Sequence, residues 1–235
     1  LALWTLAWWL HGLALVESFA GAPAKFGFGP ALSATAWLVL CVYAIESRAL
    51  PSLQSHRSTL LLAALALAVA LVFPGRALPP TTSFWQPLHW VLGIASYGLL
   101  AAAVIHGVLM SAAERRMRLA LDPKGGLPIL TLERLTFHLV GMGFLMLSLT
   151  LLLATWKMGV LGGDASGIPT HWRWDHKTVL SWLSWLVLAI LLAGRHLMGW
   201  RGPKAVRFLY LAAACLFLAY VGSHFVKEVL LGRTT

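Results

Sequence analysis

Polar and apolar positions alternate along this chain on the scale of whole segments rather than of single turns. Near-continuous apolar runs fall at about residues 1–20, 31–47, 58–73, 88–111, 135–155, 176–196 and 206–226, and short polar or turn-rich stretches divide them. Each run is of the length that crosses the hydrocarbon core of a bilayer as a helix, about 20 residues at ~1.5 Å rise. The pattern predicts an all-α polytopic transmembrane helix bundle of about seven spans, treated as one membrane domain over residues 1–235. The chain opens on Leu1 rather than Met, so a further N-terminal span is an open expectation.

The sixth run shows the pattern best. It begins in a loop dense in Trp and His: His171, Trp172, Arg173, Trp174, Asp175, His176, Lys177. It stays uncharged from Thr178 to Gly194 and closes on Arg195, His196, Trp200 and Arg201. The distance from His176 to His196 along a helix is about 30 Å, so one span carries a histidine at each membrane face.

Composition agrees. The chain of 235 residues is 59% hydrophobic and 11% charged, far below the ~25% charged residues of an ordinary soluble domain. The net charge of +10 does not imply nucleic acid, because the bases sit in short loops between spans. Loops after the second, fourth and sixth spans carry Arg48, Arg57, Arg115, Arg116, Arg118, Lys124, Arg134, Arg195, Arg201, Lys204 and Arg207, eleven of the 18 Lys and Arg. By the positive-inside rule these loops are cytoplasmic. The Trp-rich loop and the C-terminus then face outward, to the periplasm or its equivalent. Cys41 and Cys215 lie inside apolar runs and read as packed thiols.

Alternation of sides sorts the nine histidines by depth. His89, His171, His176 and His224 fall at the outer face; His106, His138 and His196 in the inner half or at the inner face; His11 within the membrane; His56 in a cytoplasmic loop. Ligand-capable side chains inside a bilayer are rare and point to function. Histidines at two depths among aromatics suit paired axial ligands of haem iron, with Arg for the propionates. Gly141 and Gly143 beside His138 would let a helix or flat cofactor come close. Bland readings stand beside these. Trp4, Trp8 and Trp9 suit packing and the interface, His106 a helix–helix hydrogen bond, and Glu17 and Glu46 a hydrogen bond or pairing with loop bases. The residues alone leave haem, another metal and proton transport open.

Three stretches together resemble the haem-handling cytochrome c assembly family of CcsA/CcmC type, nearest its HemX-like (YpjD-like) branch. They are Leu132-Glu-Arg-Leu-Thr-Phe-His138 through Thr150; Trp172-Arg-Trp174-Asp175-His-Lys177 with Ser181-Trp182, Trp185 and Gly199-Trp-Arg-Gly202; and His89-Trp-Val-Leu-Gly-Ile-Ala-Ser96-Tyr97. The stretch that opens at Trp172 is similar to a reduced form of the family's tryptophan-rich WWD domain. The resemblance covers about residues 80–226, a haem-handling core with its reduced external loop at 156–176. It implies a non-enzymatic membrane protein that binds haem b, in a bacterial inner membrane, and that serves c-type cytochrome assembly or haem homeostasis. Apocytochrome c or other assembly proteins are the implied partners.

By position the resemblance implies haem-iron ligands. His89 matches the external ligand before the Trp-rich loop. His224 lies near the second external ligand, in Gly222-Ser-His-Phe where the family usually has Gly-Leu-His-Ser-Tyr. His196 is near the inner histidine after the loop. His11 and His138 fall where the HemX-like branch usually has histidines. The expected inner site is His138 with His196; the outer is His89 with His224 or His11, covered by Trp172, Trp174 and Asp175. The loop is short, and Thr178 stands where long-loop members have Glu. A regulator of haem biosynthesis that docks a partner on the basic loop at Arg115–Lys124, or a proton-coupled transporter using Glu17 and Glu46, are the rival readings.

Overall fold

In a bilayer core no water satisfies a bare N–H or C=O, so apolar spans must close their hydrogen bonds internally, as helices do. The computed structural model describes residues 2–21, 23–49, 56–77, 84–119, 129–160 and 176–222, and these are almost wholly helical. The order is α1 (Ala2–Ala20), β1 (Lys25–Phe26), α2 (Phe28–Ala49), α3 (His56–Val72), β2 (Arg76–Ala77), α4 (Trp85–Arg118), α5 (Ile129–Val160), α6 (His176–Met198) and α7 (Gly202–Phe217). A π-helical turn, Leu218–Gly222, continues α7. Among the described residues seven helices stand where seven runs are expected. Five of them, α2, α4, α5, α6 and α7, are long and apolar enough to cross a membrane. The chain is an all-α membrane helix bundle.

Two helices outrun their apolar runs. Helix α4 has 34 residues because Glu114, Arg115, Arg116, Met117 and Arg118 are good helix formers, and the last-turn arginines complement the helix dipole. Helix α5 has 32 residues and takes in residues 156–160 of the stretch expected to be loop.

Helix α4 is the hub, packed against α2, α5 and α7, while α6 packs on α5 and α7, and α1 and α3 lean on α2. The core gathers Val39 from α2, Leu100 and Ala103 from α4, Val140 and Leu147 from α5, Leu188 and Leu191 from α6, and Leu209 and Ala212 from α7. Glycine sets two of these spacings. A Cβ on Gly143 would meet Leu100 Cγ at 2.9 Å, and one on Gly98 would meet Leu38 Cβ at 2.6 Å. Gly141, by contrast, faces open space, so only Gly143 lets a helix approach. Cys41 and Cys215 are free thiols, the second buried.

Loops meet at the end where alternation puts them. Strands β1 and β2 pair antiparallel, Lys25 opposite Ala77 and Phe26 opposite Arg76. This ties the α1–α2 loop to the α3–α4 loop. Two-residue strands are too short for a period-2 signal and were not expected.

Candidate functional site

The end of the bundle that loop charge leads one to expect on the outer side is aromatic. Phe26, brought in by β1, stacks on Trp90 at 4.8 Å and touches Phe19 at 5.7 Å and Tyr220 at 5.9 Å. Tyr220 reaches Tyr97 at 6.0 Å, and the Lys177 ammonium lies 5.8 Å over the Tyr220 ring. Trp85 meets Trp156 edge-on at 4.9 Å. His89, half-buried in the first turns of α4, sits one residue from Trp90. The start of α4, the end of α5, the start of α6 and the end of α7 thus share one face of the bundle. His176 lies there too, exposed at the start of α6.

The opposite end, expected on the inner side, is polar and clamped. The Glu133 carboxylate, from α5, is buried and accepts a hydrogen bond from Arg195 Nη1 of α6. Arg201 Nε stands 3.6 Å from the same oxygen. The Arg195 guanidinium also lies 4.1 Å over the Phe137 ring, a cation–π contact. After α6 the chain turns through Gly199, at φ 65°, and Trp200 N–H donates to Gly194 O at 3.1 Å. The Trp200 ring fills the space a Gly194 Cβ would need, and Lys204 Nζ lies 3.7 Å over it.

The contact of Phe137 with Arg195 puts their chain neighbours, His138 and His196, at a common depth on adjacent helices. Both imidazoles are exposed. His138 belongs to the exposed stripe of Arg134, Met142 and Leu145, and His196 to that of Leu186, Ile190 and Ala193. Among the described residues the inner pair therefore lies on the outside of the bundle rather than in an enclosed cleft.

Two further histidines turn inward. His11 Nε2 lies 2.7 Å from Ser33 Oγ, both buried, joining α1 to α2. An axial role for His11 through Nε2 requires that bond to break. His106 Nε2 lies 2.9 Å from Glu46 Oε2, and His106 Nδ1 is 2.8 Å from Ala102 O. His106 does serve a helix–helix contact, and Glu46 is its partner rather than pairing with a loop base, the other reading open for it. Neither half signals the other in the sequence, since they lie sixty residues apart on different helices. Trp8 packs as expected, while Trp9 is 62% exposed and meets Trp8 edge-on at 4.9 Å. Trp8 stacks on Trp37 at 5.1 Å, and Trp37 Nε1 donates to Trp8 O at 3.1 Å. Of the remaining expected site residues, Trp172, Trp174, Asp175 and His224 lie outside the described residues.

These donors suit haem. Imidazole ligates iron, aromatic faces bed a macrocycle, and a guanidinium fork pairs with propionates. Among the described residues no group of three His, Cys, Asp or Glu side chains converges as for a protein-only metal site; a haem needs only one or two protein ligands.

The fold is that of an all-α membrane helix bundle that carries histidines at two depths. The chain matches the family described as cytochrome C assembly protein over residues 2–231, and it belongs to that family. It is 30% identical over 146 residues to the inner membrane protein YpjD of Escherichia coli strain K12, covering 61% of this chain and 52% of that protein. It is 34% identical over 155 residues to an uncharacterized 28.8 kDa protein of Azospirillum brasilense, 63% and 54% covered. To the cytochrome c biogenesis protein CcsA of Chlamydomonas reinhardtii it is 29% identical over 156 residues, 64% and 40% covered. The chain thus spans about half the length of the curated relatives it matches. No solved structure matches.

Proposed function

We propose that this protein holds or moves haem b in a bacterial inner membrane, in the service of c-type cytochrome assembly or haem homeostasis, without turning over a substrate. Membership of the cytochrome c assembly family carries the reading. The histidine arrangement supports it. His138 and His196 share a depth on α5 and α6, and His89 stands beside the Phe26–Trp90–Tyr220 cluster. When bound, haem would supply the redox-active iron. The chain's own part is to offer neutral imidazoles, to bed the ring against Phe137 or the outer aromatics, and to balance propionates with Arg201. The Trp-rich loop would lie on the periplasmic side and cover the outer site. The relatives' names, YpjD of the inner membrane and CcsA of cytochrome c biogenesis, fit this location and role.

The test is an absorption spectrum of the detergent-purified protein, oxidised and dithionite-reduced, with a pyridine haemochrome count. A sharp Soret band with split visible bands on reduction is expected of bis-imidazole haem. A colourless protein that takes up no added haemin would overturn the reading.

One observation favours a second role. Helix α4 carries Arg115, Arg116 and Arg118, all exposed, at its inner end. They are a ready docking surface for a soluble partner in haem biosynthesis. Deleting residues 115–124 would then abolish partner capture while leaving haem content unchanged.

A further inference from the structure

A recess of about 380 Å³ lies among the last turns of α1, the first turns of α2 and the last turns of α3, at the end of the bundle expected on the outer side. Leu15, Pro30, Leu67 and Ala70 give it an apolar back. Its polar lining is Glu17 and Ser18 of α1, Lys25 of β1 and Ser33 of α2. The Ser33 hydroxyl is spent on His11 Nε2, at 2.7 Å. Lys25 is held in place by the pairing of β1 with β2, where it stands opposite Ala77. Among the described residues neither Glu17 nor Lys25 has an ion pair or a side-chain hydrogen bond. One recess is thus lined by a carboxylate and an ammonium that do not pair with each other.

Position and charge together select the ligand. Leu71 on the rim is 76% exposed, and Val16, next to Glu17, is 62% exposed. In a membrane the recess therefore opens sideways onto lipid, at the depth where helices end and headgroups begin. An occupant there is an amphiphile, its tails along the exposed apolar faces of α1 and α3 and its polar part in the recess. Lys25 calls for an anion such as a phosphate ester, and Glu17 for a cation beside it. An anion alone would be repelled by Glu17, and a cation alone by Lys25. The cation must carry N–H groups, because no aromatic ring lines the recess and a quaternary ammonium is held by aromatic faces. A primary ammonium instead donates to the Glu17 carboxylate and the Ser18 hydroxyl. We infer that this recess binds the phosphoethanolamine headgroup of a membrane phospholipid, with the phosphate on Lys25 and the ammonium on Glu17. No histidine lines it, so the inference does not rest on the haem reading.

The test titrates the full chain, purified in mild detergent, with synthetic phospholipids of identical acyl chains and counts bound lipid by native mass spectrometry. Phosphatidylethanolamine should bind one to one, roughly tenfold tighter than phosphatidylcholine or phosphatidylglycerol. Stepwise N-methylation of the headgroup should weaken binding as N–H groups are lost. Glu17→Ala should flatten that series, and Lys25→Ala should weaken every phospholipid by about the same factor. Both side chains are exposed, so both variants should keep the melting temperature of the unaltered protein. Arg76→Ala, on the same ribbon opposite Phe26 but outside the recess, should keep the series intact. Equal affinity for phosphatidylethanolamine and phosphatidylcholine would overturn the inference. So would a preference that survives Glu17→Ala. Displacement of the lipid by soluble glycerophosphoethanolamine at equal concentration would overturn it too, by making the ligand a soluble zwitterion.

Discussion

His106 on α4 and Glu46 on α2 meet at 2.9 Å, both buried near the inner end of the bundle. The Ala102 carbonyl can only accept, so the Nδ1 that lies 2.8 Å from it carries a proton. The Nε2–Oε2 contact then pairs the ring with the carboxyl. Glu46→Gln keeps the volume and supplies an N–H for that nitrogen, so it should be tolerated. Glu46→Ala leaves a buried imidazole without its partner and should cost about 3 kcal/mol. Urea unfolding in mild detergent reads the difference, and equal stability of the two variants would refute the pairing.

The haem reading makes its own demand on the inner histidines. His138→Ala and His196→Ala should each remove the inner haem, roughly one equivalent by haemochrome assay. His106→Gln, a buried histidine engaged with Glu46, should leave the count unchanged. Unchanged haem content in His138→Ala would rule out the inner site.

Glu133 holds Arg195 and Arg201 at the inner end. Glu133→Ala strands a half-buried guanidinium and should destabilise by about 2–3 kcal/mol. Hydrogen exchange should quicken in residues 193–202, where the turn through Gly199 and Trp200 depends on the clamp, before it quickens in α4.

Gly143 is the close approach of α5 to α4. Gly143→Leu drives a side chain into Leu100 and should cost about 1–3 kcal/mol. Gly141→Leu points into open space and should be near neutral. The two melting curves, read side by side, separate packing from helix propensity.

Topology is open to direct labelling. Single cysteines at Arg116 and Trp172, in a background lacking Cys41 and Cys215, should label from opposite sides of the membrane with an impermeant maleimide. Trp172 should react in intact cells and Arg116 only after lysis. The reverse result would invert every assignment of inner and outer.

Sequence alone determined a good deal here. Seven apolar runs required seven helices, because the backbone has no other way to satisfy itself in hydrocarbon. Loop charges gave them an expected direction, and the shared end seen at Phe26, Trp90 and Tyr220 agrees with the alternation of loops between the two ends. Depth along the membrane normal was likewise legible, since it is a residue count times a fixed rise. Azimuth was not. Which way a histidine points depends on which neighbours its helix packs against, and in lipid an apolar residue suits the core and the surface equally, so no hydrophobic stripe marks the buried face. Only tertiary packing decided that His11 and His106 turn inward to Ser33 and Glu46 while His138 and His196 lie on the outside of the bundle. It also decided that Gly143 rather than Gly141 seats a neighbour, and that Glu17 and Lys25 line one recess.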